Sequence, residues 1–260
     1  MEPVIRMKTV TVRNLELRAG APKICVPIVG RTREEVLEQA AVIRKLPADL
    51  VEWRFDCFYN VSTLSLLTVL TFLAELRKAL GDLPLLFTFR TAAEGGEKEI
   101  SHQVYEELNK TVLSSGMVDL LDVELSQGDE LLVRLMDLAK DKGVKVILSS
   151  HDFGQTPPED EIVDRLRRME ALGADIAKVA VMPQCEEDVD VLLRATKRFA
   201  DTADIPAITM SMGELGVRSR VEGGRYGSSV TFGAAGKASA PGQLEVTDLK
   251  AALDETYRAL

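Results

Sequence analysis

A lysine set within an apolar strand is the first residue whose surroundings imply chemistry. Lys178 interrupts Ile176-Ala177-Lys178-Val179-Ala180-Val181, and a buried ammonium is costly unless paired. Either its stem snorkels to water at a strand end, or the amine is desolvated and drawn below its usual pKa of about 10.4. A free amine of that kind attacks a ketone or aldehyde and forms an iminium. Ala180 lies two residues along on the same strand face and leaves room for a substrate. His151, one of two histidines in the chain, ends the apolar run just before that of Lys178. An imidazole near its free pKa of about 6.5 takes up one proton and returns another at neutral pH. A lone histidine at a strand end also serves as a satisfied structural residue. The other, His102, sits in Glu97-Lys98-Glu99-Ile100-Ser101-His102 and reads as solvent-facing.

Other ionisable groups fall where apolar runs end. Glu94 follows Arg90 in Arg90-Thr91-Ala92-Ala93-Glu94-Gly95-Gly96 and is a candidate to orient the imidazole, or a plain loop carboxylate. Glu52 and Arg54 share a strand face by the period-two rule, as a structural ion pair or as binding groups. Glu124 closes another run. Arg90 and Arg220 carry planar forks suited to carboxylate or hydroxyl recognition. The stretch 212–224 is Gly-rich enough to suggest a phosphate loop, but Glu214, Glu222 and the lack of a P-loop or GxGxxG context argue against one.

The elements that must position these groups are eight apolar runs, at 23–29, 50–55, 85–90, 120–125, 144–150, 175–182, 207–212 and 229–233. Nearly all are followed by a charged, helix-patterned stretch. Among these are a helix capped by Thr32 and running through Lys45, a Leu-rich helix over 62–80, and helices stopped by Gly143 and Gly173. Eight strand–helix units predict an α/β protein of the (β/α)8 TIM-barrel class, whose functional groups gather at the C-terminal strand ends. No Pro/Gly-rich linker or charge-block tail divides the chain, so residues 1–260 read as a single domain. Residues 8–18 read as a β-hairpin that covers the N-terminal end of the barrel.

Composition narrows the function classes. Lys+Arg 32 against Asp+Glu 41 gives a net charge of −9, without the broad basic surface expected of a nucleic-acid or anionic-lipid binder. Two histidines and three cysteines cannot supply an elaborate metal site. Cys25, Cys57 and Cys185 are widely spaced and form no CxxC, which fits reduced thiols in the cytoplasm; the N-terminus has no signal-peptide h-region. The uncharged stretch 58–74 is short for a membrane span and holds several Ser and Thr residues, so it reads as a core-facing helix.

In order along the chain, seven segments resemble the type I 3-dehydroquinate dehydratases, the Schiff-base dehydratases of the shikimate pathway. They are Pro22 to Pro27, Glu52-Trp53-Arg54-Phe55-Asp56, Phe89-Arg90-Thr91 through Glu94-Gly95-Gly96, Ser149-Ser150-His151-Asp152-Phe153, Ala177-Lys178-Val179-Ala180, Met212-Gly213 through Ser219-Arg220, and Lys237 to Gln243. The resemblance implies a cofactor-free lyase of aromatic amino acid biosynthesis that converts 3-dehydroquinate to 3-dehydroshikimate. It implies that Lys178 forms the imine, His151 shuttles the proton and Glu94 holds the histidine. Glu52, Arg54, Arg90, Arg220, Ser239 and Gln243 match substrate-binding positions, the last two in a small-residue loop over 233–243 that closes on the ligand. It implies a locally basic pocket and a homodimer. Some relatives carry Ser where Pro27 stands, so Pro27 is not among the site residues. The competing readings are a class I Schiff-base aldolase on the same barrel, which would share Lys178, and a barrel binding protein in which Lys178 is a buried counter-ion.

Overall fold

The computed structural model describes residues 9–58 and 65–258. Eight parallel strands form one sheet: β3 (Lys23–Ile28), β4 (Leu50–Arg54), β5 (Leu85–Thr88), β6 (Leu120–Glu124), β7 (Lys145–Asp152), β8 (Ile176–Val181), β9 (Ala207–Ser211) and β10 (Val230–Phe232). They run in the order β10-β3-β4-β5-β6-β7-β8-β9. The two ends meet where the Ser229 N–H donates to Ala207 O at 2.8 Å, closing the sheet into a (β/α)8 barrel. Around it lie α1 (Arg33–Ile43), α2 (Leu66–Leu80), α3 (His102–Ser114), α4 (Asp129–Lys142), α5 (Glu159–Ala171), α6 (Glu186–Ala200), α7 (Val217–Glu222) and α8 (Val246–Thr256).

Local sequence explains many of the boundaries. The Thr32, Ser65 and Ser101 hydroxyls accept the first free N–H groups of α1, α2 and α3. Gly143, at φ +71°, ends α4 in the left-handed conformation, and Gly173, at φ +93°, follows α5. The helix expected over 62–80 begins at Leu66 in the structure; residues 62–64 lie outside the described ones. Its buried face is Val69, Leu73, Leu76 and Leu80, and no helix among the described residues is long and apolar enough to cross a membrane.

Strand alternation divides the core into two layers. Outward residues such as Val51, Trp53, Phe87, Leu121, Val123 and Val179 pack beneath the helices. Inward residues Leu50, Leu86, Leu120, Ile147, Ile176 and Ile208 fill the N-terminal half of the barrel. The expected hairpin is β1 (Val10–Val12) and β2 (Leu15–Leu17), and its Val10, Val12 and Leu17 join this inner cluster. Arg13, at the turn with φ +53°, fastens the hairpin through Nε to Asp119 Oδ1 at 2.6 Å. Leu17 is wholly buried, so Leu17→Ala should cost about 2–5 kcal/mol in denaturant unfolding while leaving kcat within a factor of about two.

Three aspartates pin the same end of the barrel. Asp49, Asp119 and Asp175 each directly precede a strand and accept the N–H of Ile24, Leu85 and Val146 on the neighbouring strand, at 2.8, 2.8 and 2.9 Å. Apolar filling and backbone anchoring thus occupy the N-terminal half. The C-terminal half is left to polar side chains.

Candidate active site

Period-two alternation turns Glu52 and Arg54 of β4, Thr88 of β5 with Arg90 just beyond it, Asp122 and Glu124 of β6, Ser149 and His151 of β7, and Lys178 and Ala180 of β8 toward one interior. The strand carrying His151 reaches Asp152, two residues past its expected end, because Asp152 still pairs with Val181. His151 is thereby held in regular backbone opposite Ala180.

Lys178 is 4% exposed. Its Nζ lies 3.0 Å from Asp122 Oδ2 and 4.8 Å from the centre of the Phe232 ring. Asp122 Oδ1 accepts Ser149 Oγ at 2.7 Å and Arg90 Nη2 at 2.7 Å. Arg90 also reaches Glu124 at 3.0 Å and the Ser149 hydroxyl at 3.0 Å. Although Asp122 is completely buried, these cations hold its carboxyl below the usual carboxylate range.

A short turn at Ala92–Glu94 aims Glu94 back at β7. Its Oε2 accepts the His151 backbone N–H at 3.1 Å and faces His151 Nδ1 at 2.9 Å, while Oε1 accepts Ser126 Oγ at 2.6 Å. With a carboxylate at Nδ1, the neutral ring places its proton there and leaves Nε2 as the free base. Burial, then the charges of Arg90 and Lys178, press the His151 pKa well below its ordinary value. Burial and Glu124 push Glu94 up to about 7, against the pull of Arg90. The turn needs its glycines. Gly95 has φ +84°, and a Cβ there would meet the Phe153 ring at 2.2 Å; one on Gly96 would meet Arg90 O at 1.9 Å.

The remaining groups ring the mouth. Glu52 Oε1 accepts Thr88 Oγ1 at 2.8 Å, and Arg54 makes a two-pronged bond to Asp56 at 2.8 and 2.7 Å. Ser239 and Gln243 bond each other at 2.8 and 3.0 Å, and Arg54 Nη1 touches Ser239 O at 3.4 Å. Their loop packs on the turn after β9, where a Cβ on Gly242 would meet Gly213 O at 2.1 Å. Arg220 is 1% exposed and has no carboxylate partner among the described residues; Nη2 donates to Pro241 O at 2.9 Å, Nη1 lies 3.7 Å from Met210 Sδ, and Nε is unpaired. Burial lowers its pKa to about 10.

Residues 24–259 match the family model for type I 3-dehydroquinase. The 3-dehydroquinate dehydratase of Clostridioides difficile is 48% identical over 97% of this chain and 99% of its own length. The chain belongs to the type I 3-dehydroquinase family. The dehydratase of Listeria welshimeri is 49% identical over 97% of this chain and 99% of its own. A crystal structure of the type I enzyme from Clostridium difficile, with covalent modified comenic acid, superposes with a TM-score of 0.94 at 47% identity, covering 98% of this chain and all of that one. This 3-dehydroquinase is a hydro-lyase of the shikimate pathway that removes water from 3-dehydroquinate. The aldolase reading, which shared Lys178, gives way to dehydration.

Of the residues singled out by sequence, the type I 3-dehydroquinase fold brings Glu52, Arg54, Arg90, Glu94, His151, Lys178, Ser239 and Gln243 onto one cavity that opens to solvent. Arg220 stands one layer back, behind Met210 and Pro241. Two expectations change. Glu52 and Arg54 form no ion pair, because Asp56 on the turn after β4 takes the Arg54 fork. The locally basic pocket that the resemblance implied is also largely charge-balanced, since Arg54, Arg90 and Lys178 each face at least one buried carboxylate. The suspected phosphate stretch is a turn and the short helix α7, with Ser219 Oγ accepting the Ser211 N–H at 2.9 Å. Sequence reading passed over Asp122, Ser149 and Asp56. The alternation Leu120, Asp122, Glu124 within an apolar strand was the available signal for Asp122.

Proposed function

We propose that Lys178 attacks the ketone of 3-dehydroquinate to form an iminium, and that His151, held by Glu94, moves the protons of the elimination. The observation that carries this assignment is the pairing of a buried strand lysine with a histidine anchored through Nδ1, both on one cavity. That the C. difficile relative was crystallised with covalent modified comenic acid is in keeping with a nucleophile in the family. The iminium withdraws electrons from the neighbouring carbon. His151 Nε2 takes the proton from that carbon, and the C–H pair becomes the enamine double bond. The enamine pair then returns to expel the β-hydroxyl, which leaves as water with the proton from His151. Hydrolysis of the conjugated iminium releases 3-dehydroshikimate and restores Lys178. The nitrogen cation is the electron sink, so the mechanism calls for no separate cofactor.

Arg220 receives the substrate carboxylate, exchanging its bond to the neutral Pro241 carbonyl for a two-pronged bond to an anion. Glu52, Arg54, Arg90, Ser239 and Gln243 hold the hydroxyls, with residues 233–243 closing over them. Arg220→Ala should raise KM roughly 30-fold, about 2 kcal/mol of lost carboxylate binding, with kcat far less affected. Unchanged KM and kcat would make Arg220 purely structural.

The base works only while the His151–Glu94 pair is free of its extra proton. That proton arrives as pH falls through about 7, the position set at Glu94, and is shared by the pair. kcat/KM should therefore hold above that pH and drop below it, about tenfold per unit.

The chain is further proposed to work as a single domain, paired as a homodimer, in the cytoplasm. Its three unpaired cysteines, with Cys185 exposed, support a reducing compartment. Light scattering of the purified protein tests the dimer.

A further inference from the structure

Asp122 is the one carboxylate within ion-pair distance of Lys178 Nζ among the described residues, at 3.0 Å and 1% exposure. The chemistry assigned to Lys178 makes that contact more than a structural tie. Ammonium plus ketone gives iminium plus water, with no net gain or loss of protons. The new C=N bond replaces C=O, the oxygen leaves with two of the three ammonium hydrogens, and one positive charge sits on nitrogen before and after. We propose that Asp122 is a catalytic residue of this enzyme, the counter-ion that keeps the Lys178 iminium protonated and so able to accept the electron pair. The proposal rests on the imine reading of Lys178.

The surroundings suit that task and no other acid–base role. Ser149 and Arg90 occupy Oδ1 and leave Oδ2 to the nitrogen. Held ionised by these neighbours, Asp122 is too weak a base to remove a carbon-bound proton. The Phe232 ring face, 4.8 Å from Nζ, favours a cation at the same atom. The other charged or titratable groups that bear on this pair are Glu52 of β4, Arg90 and Glu94 beyond β5, Tyr105 of α3, Glu124 of β6, His151 of β7 and the Cys25 thiol of β3. Arg90 is itself shared among Glu94, Asp122 and Glu124. Of the three carboxylates it binds, Asp122 is the one within ion-pair distance of Nζ.

Borohydride reduces the protonated iminium, so the yield of adduct on Lys178, followed against pH with 3-dehydroquinate, reads its protonation. An opposite charge within hydrogen-bond distance moves such a titration by about one to three pH units. In Asp122→Asn the alkaline fall of the adduct should move to lower pH by at least about one unit, tenfold less adduct on that limb. Ser149→Ala removes a hydroxyl that draws charge from Oδ1 and also accepts from Arg90 Nη1, and should move the same limb to higher pH. It also decides the matter if the Asn variant does not fold. Limbs that coincide with wild type in the folded variants would overturn the assignment to Asp122. No adduct from the wild-type protein at any pH would instead overturn the imine reading beneath it.

Discussion

Lys178→Ala is expected to lower kcat by about 10⁴-fold or more, because the only electron sink in the reaction is the nitrogen it removes. The loss should appear in kcat and not mainly in KM, since the proposed substrate-holding residues, Arg220 and those of the mouth, are left in place. Stability will also fall. Asp122 is left buried without its ammonium, and breaking a buried pair costs about 3–5 kcal/mol. Arg90 and Ser149 still bond Oδ1, so the barrel should remain folded, with circular dichroism as the check. Measuring enone formation from 3-dehydroquinate by absorbance gives the rate. A folded variant with more than a few per cent of wild-type turnover would remove Lys178 from the chemistry.

His151→Ala should behave differently. The amine, Asp122 and the carboxylate site are untouched, so the iminium should still form and be trapped by borohydride. Elimination should stall, with kcat down by about 10²–10⁴-fold, the usual contribution of a positioned acid–base group. The acid limb assigned to the His151–Glu94 pair should vanish from what activity remains. Failure of a folded His151→Ala protein to form the adduct would contradict this division of labour, because it would make the histidine necessary for the first covalent step.

The barrel was legible because its two periodicities differ so clearly. Short apolar runs and charged helical stretches alternate along the chain, and glycines 143 and 173 mark where helices give way to strands. Lys178 and His151 were legible for a related reason: each is an ionisable group in or at the end of an apolar strand. The partners were harder to see. Asp122 shares a strand with a second carboxylate, Glu124, and which carboxylate meets the amine depends on barrel closure and register. The same holds for Arg54, where the local rule pointed to Glu52 on its own strand face and the fold gave the guanidinium to Asp56 on the following turn. The locally basic pocket that the resemblance implied is largely charge-balanced, because buried carboxylates on neighbouring strands and turns pair Arg54, Arg90 and Lys178. Arg220 alone among these cations lacks a carboxylate among the described residues, a fact visible only once the chain is folded.

The division of the barrel into an apolar half and a polar half also bears on rate and stability. The hairpin and the three aspartate anchors act at the N-terminal end, away from the cavity, so damage there should lower stability without slowing the chemistry. Damage at Gly95 or Gly96 should do the reverse in part, because a side chain there displaces Phe153 or the backbone of Arg90 and with them the turn that aims Glu94.

The most direct test of the central claim is borohydride reduction of the wild-type protein during turnover of 3-dehydroquinate, followed by peptide mapping. The expected result is one stable adduct on the peptide containing Lys178, with activity lost in proportion. Turnover that continues unlabelled, or an adduct on another residue, would contradict it.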